Sequence, residues 1–369
     1  MNNRERTHAI LSYKEYDKMP VVHFGFWKET HEKWFEEGFI SEEEFNMREP
    51  EREKHITEKL GFDFGWGGTF GAHSGLLPAF EEKIIEELPD GSEKVRNSSG
   101  VIVLRNPDAN SIPAEFDHHL KDRKSWEEHF LPRLQFEEKR VDYKLMAKKK
   151  SESETAENPV IMGVGSMIGV IRNWLGVEGL SYLWADDPEL FDEIINTCAE
   201  LNYKCIEKVL SCGIKIDFAN FWEDICFKNG PLVAPSVFRE KSGPHYKKLT
   251  TLLNKHGIKF ISVDCDGCID SLISTWLENG VNTMFPIEVG TWNASIKPWR
   301  EKYGREIRGV GGMNKCVFAY DRNAIDAEIE RLKPLVALGA YIPCPDHRIP
   351  PDAKWDNVRY YCDRMRETF

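Results

Sequence analysis

The amino-acid sequence predicts a closed (β/α)8 barrel (TIM barrel), an α/β fold in which eight parallel strands alternate with helices. Eight short apolar runs predict the strands, and each run stops at polar, aromatic or glycine residues. The runs are residues 20–26, 62–66, 160–164, 216–222, 259–263, 282–287, 307–310 and 340–344. Segments that are apolar on both faces are typical of parallel strands, and in this barrel the residues that follow the strands form the active site.

Helices with clear ends separate the runs, which is the second observation that favours a barrel. Asp187 is placed to cap a helix that starts at Pro188, and the apolar stripe that follows stops at Gly213. Residues 323–338 carry a second apolar stripe, which stops at Gly339. These two predicted helices precede the fourth strand and the eighth strand.

One region does not fit the alternation and predicts an insertion of about residues 80–158 after the second strand. Residues 84–88, 94–96 and 101–104 resemble strands separated by tight turns, so we expect a β-meander at about residues 80–110. A helix around 126–136 and a polar loop at 151–158 should follow. An insertion at this position lies on the active-site face, where it could act as a lid.

Composition limits the class of protein. The 369 residues are 41% hydrophobic, enough for a large core, and no linker divides them, so we expect one domain over residues 1–369. The net charge of −12 disfavours nucleic acid as a partner. There is neither a cleavable signal at the start nor an apolar stretch near twenty residues, which predicts a cytoplasmic protein without a membrane partner.

The nine cysteines are expected to be thiols, because their number is odd and the predicted compartment is reducing. Cys265 and Cys268 have the two-residue spacing of redox or zinc motifs. No second pair lies at a matching distance, so this motif is a weak signal for a disulfide or a zinc knuckle.

The strongest cluster of polar residues follows the fifth predicted strand. Asp264 and Asp266 should face the same space, because side chains alternate along a strand. Glu223, Glu288 and His347 end other strands and could converge on that space. Such residues could bind zinc or act as acid–base groups. The alternative is that the acids cap helices or form ion pairs.

Aromatic residues near the strand ends predict the walls of a small-molecule site. Phe24, Trp27, Trp66 and Trp222 would suit a flat aromatic or methylated substrate, although core packing is the alternative for some of them. His73, between two glycines, could line the site from a mobile loop or could be an ordinary surface histidine.

Several motifs together resemble the uroporphyrinogen decarboxylase superfamily over nearly the whole chain. Within that superfamily, the closer likeness is to the branch that serves corrinoid-dependent methyl transfer in anaerobes, O-demethylases included. The residues that carry the resemblance are Glu223-Asp224, Lys228-Asn229-Gly230-Pro231, Asp264-Cys265-Asp266-Gly267, Pro286-Ile287-Glu288, Gly311-Gly312-Met313-Asn314-Lys315 and Pro345-Asp346-His347-Arg348-Ile349-Pro350-Pro351.

The resemblance implies a methyltransferase that moves a methyl group between a small O- or N-methylated substrate, methoxyaromatic compounds included, and a corrinoid protein or related acceptor. In the zinc enzymes of that branch, a His-x-Cys pair follows the fifth strand and a cysteine follows the eighth. Here Asp264, Asp266 and His347 stand at those places, which implies either one zinc in a mixed oxygen–nitrogen site or no metal. Glu223 and Glu288 would then support or protonate the substrate.

The resemblance also assigns Asn314 the role of orienting the substrate, and it leaves a homodimer open. True uroporphyrinogen decarboxylases have an arginine-rich segment after the first strand, whereas this chain has Phe24-Gly25-Phe26-Trp27-Lys28-Glu29 there. Decarboxylation of that polyanion is therefore not expected. The other functions that the sequence leaves open are a decarboxylase or lyase for a small carboxylated substrate and a non-catalytic small-molecule binder.

Overall fold

The computed structural model describes residues 1–106 and 113–369 of the chain. Its strands are β1 (Val22–His23), β2 (Phe64–Gly65), β3 (Thr69–Phe70), β4 (Lys83–Glu87), β5 (Glu93–Arg96), β6 (Val101–Arg105), β7 (Ala114–His118), β8 (Ile161–Gly163), β9 (Phe218–Trp222), β10 (Cys226–Phe227), β11 (Gly230–Pro231), β12 (Phe260–Asp264), β13 (Thr283–Phe285), β14 (Arg308–Met313) and β15 (Tyr341–Pro345).

The α-helices are α1 (Asn3–Leu11), α2 (Lys28–Glu36), α3 (Glu42–Phe45), α4 (Glu49–Leu60), α5 (Arg123–Ser125), α6 (Tyr143–Glu154), α7 (Gly169–Asp186), α8 (Pro188–Ser211), α9 (Pro235–Lys255), α10 (Ile273–Glu278), α11 (Val289–Trp292), α12 (Ile296–Tyr303), α13 (Arg322–Val336) and α14 (Trp355–Thr368). Short 3-10 segments precede β14 and follow it. Within residues 1–106 and 113–369, no helix has both the length and the apolar character needed to cross a bilayer.

Parallel strands form a ring with eight positions. The order β15-β14-β13-β12-β9-β8-β3 is one seven-stranded parallel sheet, and β1 pairs with β2 in parallel. β2 and β3 are two pieces of the second strand position, separated by a short turn. The ring closes where Phe26 bridges to Ile349, whose amide donates to the carbonyl of Gly25 (3.0 Å). The predicted (β/α)8 barrel is confirmed.

Each predicted run overlaps the strand at its position, and β12, β14 and β15 extend one to three residues beyond their runs. The run at residues 62–66 predicted only β2, the first piece of the second strand, because two exposed glycines separate β2 from β3.

The interior of the barrel is filled with aromatic side chains. The indole ring of Trp66 contacts the rings of Phe218 (5.3 Å) and Phe285 (6.3 Å), although β2, β9 and β13 are not neighbours in the ring. These side chains therefore meet inside the barrel.

The predicted insertion after the second strand is also confirmed, with differences in detail. The strands β4 to β7 form a four-stranded antiparallel sheet, so the predicted meander lacked its last strand. Residues 107–110 of the predicted meander lie outside the described residues. The helix expected around 126–136 is present but irregular, since residues 126–130 are π-helical and residues 131–134 form a 3-10 helix. The polar loop expected at 151–158 starts later, because α6 continues to Glu154.

The two long helices begin as their capping residues predict. The Asp187 side chain accepts a hydrogen bond from the Leu190 amide (2.9 Å) at the start of α8, and the Asp321 side chain accepts one from the Ala324 amide (2.9 Å) at the start of α13. α8 then packs against α7 and α9 on the outside of the barrel. Helix packing of this kind fixes the strand ends that carry the site.

A fully buried histidine holds the loop after the first strand. His23 Nδ1 accepts a hydrogen bond from the Gly25 amide (2.8 Å), so Nε2 carries the proton and donates to Thr57 Oγ1 (2.9 Å). Burial lowers the pKa of His23 to about 3, with a smaller contribution from the nearby His31. Burial likewise lowers the pKa of His31 to about 4. Both imidazoles are therefore neutral in the folded protein.

We predict that stability falls with acidification because of these histidines. Since their folded pKa values lie below the ordinary value of 6.5, the unfolded chain binds more protons as the pH falls below 6.5, and the folded state loses about 1.4 kcal/mol per pH unit for each histidine. His23→Asn keeps an acceptor for the Gly25 amide and should flatten the pH dependence. Urea unfolding between pH 7 and pH 5 measures it. His256→Asn, at an exposed position, is the control, and equal slopes in wild type and His23→Asn would refute the assignment.

Candidate active site

Three carboxylates meet where two neighbouring strands end. Oxygens of Asp224, Asp264 and Asp266 lie within 4.8 Å of one another. β9 and β12 are paired with Asp264 opposite Trp222, which puts the residues after both strands on the same edge of the barrel. The Asp266 amide donates to Asp224 Oδ1 (3.1 Å), and this bond holds the two segments together. The edge is the carboxyl-terminal face, where barrel enzymes carry their chemistry.

Asp224 was not among the predicted site residues. Its backbone is left-handed (φ 45°), an uncommon conformation that aspartate tolerates better than most residues. The sequence does contain one signal, because an acidic pair, Glu223-Asp224, directly follows a strand. Strand alternation cannot decide which acid of that pair faces the mouth, the open carboxyl-terminal end of the barrel. The left-handed backbone of Asp224 interrupts the alternation of side chains.

The three carboxylates have few partners and repel each other. Burial raises the pKa of Asp224 to about 6, and the charge of Asp266 adds to the rise. Burial, followed by the charges of Asp224 and Asp266, raises the pKa of Asp264 well above its ordinary value. Asp266 Oδ1 is buried and has no hydrogen-bond partner in the described part of the chain. The cluster therefore favours a bound proton or cation near neutral pH.

His347 and two aromatic rings form the wall beside the carboxylates. His347 Nε2 lies 3.3 Å from Asp266 Oδ2. The Trp27 ring stacks on the imidazole (5.5 Å, 27°), and the Phe24 ring meets it edge to face (5.3 Å, 73°). The structure thus brings Asp264, Asp266 and His347 together as predicted and places Phe24 and Trp27 next to them.

Glu223 has a different environment from the one we expected of a catalytic residue. It is fully buried, and its carboxylate accepts five hydrogen bonds. The donors are the Ser166 hydroxyl (3.2 Å), the amides of Met167 (2.7 Å), Ile168 (2.9 Å) and Gly169 (2.8 Å), and the Tyr246 hydroxyl. Burial raises the pKa of Glu223, and the hydrogen bond from Tyr246 followed by those from the amides opposes the rise.

The donors to Glu223 explain its place in the fold. The amides at the start of α7 have no partner inside the helix, and a carboxylate there satisfies them and complements the helix dipole. A side chain at Gly169 would put Cβ 1.9 Å from the Glu223 carbonyl oxygen, so the helix approaches β9 as closely as the backbone permits. Glu223 is thus placed as a scaffold for Asp224.

Glu288 borders the carboxylates, but its oxygens already have partners. Oε2 accepts from the Gly267 amide (2.5 Å), and Oε1 accepts from Thr291 Oγ1 (2.8 Å). Burial and then the charge of Asp266 raise the pKa of Glu288. The Glu288 side chain therefore fixes the turn that follows Asp266 and adds negative charge to the site.

Asn314 and Asp346 stabilise the loops after β14 and β15. The Asn314 side chain accepts from the Cys316 amide (3.1 Å) and so caps a 3-10 turn. Asp346 is fully buried and accepts from the amides of Gly290 (2.7 Å) and Lys315 (3.2 Å). The contacts of Asn314 are those of a capping residue, and its role in orienting substrate stays a prediction.

Three predicted substrate-binding residues have separate environments. Trp222 ends β9 two residues before Asp224, opposite Asp264 on β12, and so borders the site. Trp66 is buried among aromatic rings in the barrel interior, and its Nε1 has no partner among the described residues. His73 is exposed, with Nε2 against the Leu76 carbonyl (3.1 Å). Its recorded contacts lie in the loop that buried Arg140 fixes, not at the aspartates.

Two arginines that sequence analysis did not single out flank the carboxylates. The Arg172 guanidinium lies 6.0 Å from the Trp222 ring and donates to the Asp224 carbonyl (2.9 Å). The Arg348 guanidinium lies 5.9 Å from the Trp27 ring, and its charge opposes the rise in the pKa of Asp264. Each arginine thus stacks on an aromatic residue at the mouth and partly offsets the local negative charge.

A cavity of about 730 Å³ lies elsewhere, between β7 and α7. Gly176 breaks the helix there (φ 69°), and exposed Phe116 and Tyr182 border the opening. None of the three clustered aspartates lines this cavity. We assign the candidate active site to the carboxylates, because perturbed acids at the carboxyl ends of strands indicate chemistry more directly than volume does.

Comparisons with known proteins agree with this fold. A solved methyltransferase from Methanosarcina mazei superposes with a TM-score of 0.64 at 16% identity, covering 100% of this chain and 99% of that chain. A protein from Listeria monocytogenes assigned as a vitamin-B12-independent methionine synthase gives a TM-score of 0.42 at 14% identity, covering 96% and 99%. At such identities the first likeness shows a shared fold, and the second adds no argument.

No curated protein sequence matches the chain significantly. The family model described as uroporphyrinogen decarboxylase (URO-D) matches residues 108–368. That stretch contains every barrel strand from β8 to β15 and all of the clustered carboxylates. Because the match spans well over half of the sequence, the chain belongs to the uroporphyrinogen decarboxylase family.

Proposed function

We propose that the protein is a methyltransferase that moves a methyl group from a small O- or N-methylated substrate, methoxyaromatic compounds included, to a corrinoid carried by a partner protein. The observation that carries the proposal is the meeting of Asp224, Asp264 and Asp266 with His347 at a mouth walled by aromatic rings. The fold shared with a methyltransferase at a TM-score of 0.64 supports it.

The same residues fit a zinc ion. Zinc takes carboxylate oxygens and imidazole nitrogen, and Asp266 Oδ1 is a buried oxygen without a partner. Asp224, Asp264 and Asp266 would hold the ion, with His347 adjoining them. Bound there, zinc would act as a Lewis acid on the oxygen or nitrogen that carries the methyl group.

The chain's own carboxylic acids can also supply a proton to the oxygen or nitrogen atom that loses the methyl group. Burial raises the pKa values of Asp224 and Asp264, which favours a proton on the metal-free cluster. A carboxylic acid beside the substrate heteroatom can donate that proton as the methyl group leaves. His347, held between Trp27 and Asp266, is placed to take part in the same exchange.

The aromatic walls would bind and orient the substrate. Phe24 and Trp27 are partly exposed at the mouth and can cover a flat ring or a methylated head group. Trp222 would add a further ring, since it ends β9 two residues before Asp224. In residues 24–29, aromatic side chains stand where true uroporphyrinogen decarboxylases have the arginine-rich segment that binds the carboxylates of their substrate.

We predict that metal binding depends on Asp224 as well as on the ligands expected from sequence. Asp224→Asn, Asp266→Ala and His347→Ala should each weaken zinc binding at least about 10-fold in competition with a chromophoric chelator, because each change removes a donor or a charge. Asp270→Asn, at an exposed acid only four residues from Asp266, is the matched control and should bind zinc like wild type. Equal affinity in all four proteins would place the metal elsewhere.

We predict that the metal-free protein becomes more stable when Asp224 loses its charge. Its folded pKa of about 6 exceeds the ordinary 3.8, so its favourable contribution is complete below pH 3.8 and is lost as the pH rises through 6. With EDTA present at pH 7.5, Asp224→Asn should raise the free energy of unfolding by about 1–3 kcal/mol. Asparagine also tolerates the left-handed backbone. The gain should vanish near pH 4, and a variant less stable at every pH would contradict the argument.

Methyl transfer can be assayed with free cob(I)alamin in place of the partner protein. We expect wild type to consume cob(I)alamin with at least one member of a panel of methoxylated benzenes and methylated amines. His347→Ala and Asp266→Ala should lose about 100-fold or more in rate, the range for removal of an acid–base group. Asp270→Asn should keep the rate. If the panel gives no transfer while a carboxylated substrate releases carbon dioxide, the protein is a lyase.

A further inference from the structure

The cavity between β7 and α7 is separate from the clustered aspartates, none of which lines it. Its volume of about 730 Å³ lies within the range of small-molecule sites, which is roughly 300–1,000 Å³. The buried apolar side chains that line it are Leu120, Leu175, Leu183 and Leu190. The cavity therefore has the size and the apolar lining that a small organic molecule needs.

Two irregular backbone features shape this cavity. Gly176 leaves the helical conformation inside α7 (φ 69°, ψ 173°), and a side chain there would place its Cβ 2.5 Å from His118 Cε1. Phe116 is the extra residue of a bulge in β7, because its two neighbours pair with consecutive residues of β6. Bulges redirect side chains and are common next to binding sites. The helix break thus lets β7 lie against α7, and the bulge places an exposed ring at the opening.

One face of α7 carries an aromatic ring between two acids. Glu178, Tyr182 and Asp186 are spaced four residues apart, so they lie on the same side of the helix, and all three line the cavity. All three are exposed, Tyr182 by 65%. Within residues 1–106 and 113–369, neither carboxylate has an ion-pair partner, and no ring or cation contacts Tyr182. This face is therefore free to contact a ligand.

The facing wall on β7 has a similar composition. Phe116 stands between Glu115 and Asp117 in the sequence, and all three line the cavity. The Lys94 ammonium lies 4.1 Å from the centroid of the Phe116 ring, so this ring already has a cation beside it. Aromatic rings attract cations through their quadrupole, and nearby carboxylates add to the attraction. Of the two exposed rings, Tyr182 is the one that is open to a cationic ligand.

The charge of the lining selects among ligands. Among the described residues that line the cavity, six side chains are acidic and, besides His118, only Lys121 and Arg123 are basic. Both of these basic groups already form ion pairs with carboxylates at 2.8 Å. An anion would therefore meet an excess of negative charge, whereas a cation would meet the unpaired carboxylates of Glu178 and Asp186.

We propose that this cavity binds a small organic cation, an ammonium with an apolar aliphatic or aromatic body. The ammonium lies over the Tyr182 ring between the carboxylates of Glu178 and Asp186, and the apolar body enters the space lined by the four leucines. This site is distinct from the mouth of the barrel, and binding there requires neither a metal nor methyl transfer.

The probe for the test is phenylbutylammonium, which has an apolar body and no methyl group on its nitrogen. We expect isothermal titration calorimetry of the full chain to show binding that weakens as sodium chloride is added, because salt screens exposed charges. Phenylbutyrate and phenylbutanol have nearly the same body with an anionic or a neutral head. Both should bind at least about 5-fold more weakly, because they lack the attraction to the ring and to the two carboxylates.

Substitutions on α7 locate the probe. Tyr182→Ala should weaken binding about 2- to 5-fold, the range for a cation–π contact at an exposed site. Tyr320→Ala is the matched control, because Tyr320 is 63% exposed and does not line the cavity. Gly179→Phe should abolish binding by filling the cavity. A Cβ at Gly179 would lie 3.4 Å from Leu175, an ordinary contact, so this variant should fold, which circular dichroism verifies.

A second set of variants tests the charge. The double variant Glu178→Gln/Asp186→Asn should weaken binding about 3-fold or more and should remove most of the salt dependence. Glu189→Gln is the control, at an exposed acid of α8 that does not line the cavity. Asp266→Ala, at the mouth, should bind the probe like wild type.

Three results would overturn the proposal. The first is equal affinity for the ammonium, the alcohol and the carboxylate, since the lining charge would then select nothing. The second is binding that Gly179→Phe retains and Asp266→Ala loses, which would place the probe at the mouth. The third is no binding of phenylbutylammonium at millimolar concentration. Calorimetry without metal or corrinoid does not depend on methyl transfer, so these outcomes are separate from those that test the proposed function.

Discussion

The structure of the mouth depends on holding three carboxylates together in a partly buried space. Like charges within 4.8 Å cost free energy unless a proton or a cation joins them, and burial increases that cost. Nothing in the described residues offsets it fully, since Arg172 and Arg348 lie over aromatic rings and form no ion pair with the cluster. Such an arrangement indicates a binding site, because a bound proton or cation recovers the free energy that the repulsion costs. For this reason the cluster, and not the larger cavity beside α7, defines the site.

Glu223 and Asp224 show how the fold supports that arrangement. The two acids are adjacent in sequence, yet Glu223 accepts five hydrogen bonds at the start of α7, whereas Asp224 accepts few and faces two other carboxylates. Glu223, whose oxygens all have hydrogen-bond donors, fixes the end of β9. This fixed position stabilises the strained, left-handed backbone of Asp224. Replacing Glu223 would therefore disturb the cluster without any direct contact with a ligand.

The sequence predicted the barrel because apolar runs and helix caps are local signals that tertiary packing did not override. It predicted Asp264, Asp266 and His347 as a cluster because strand alternation and the barrel topology place them at one edge. It could not choose between Glu223 and Asp224, because that choice depends on a single left-handed residue and on the amides of a helix start 54 to 56 residues away. The last strand of the meander was missed because Ala114–His118 is short, largely exposed and has only one large apolar residue. The π-helical and 3-10 geometry at residues 126–134 was missed because the sequence there has the composition of an ordinary helix.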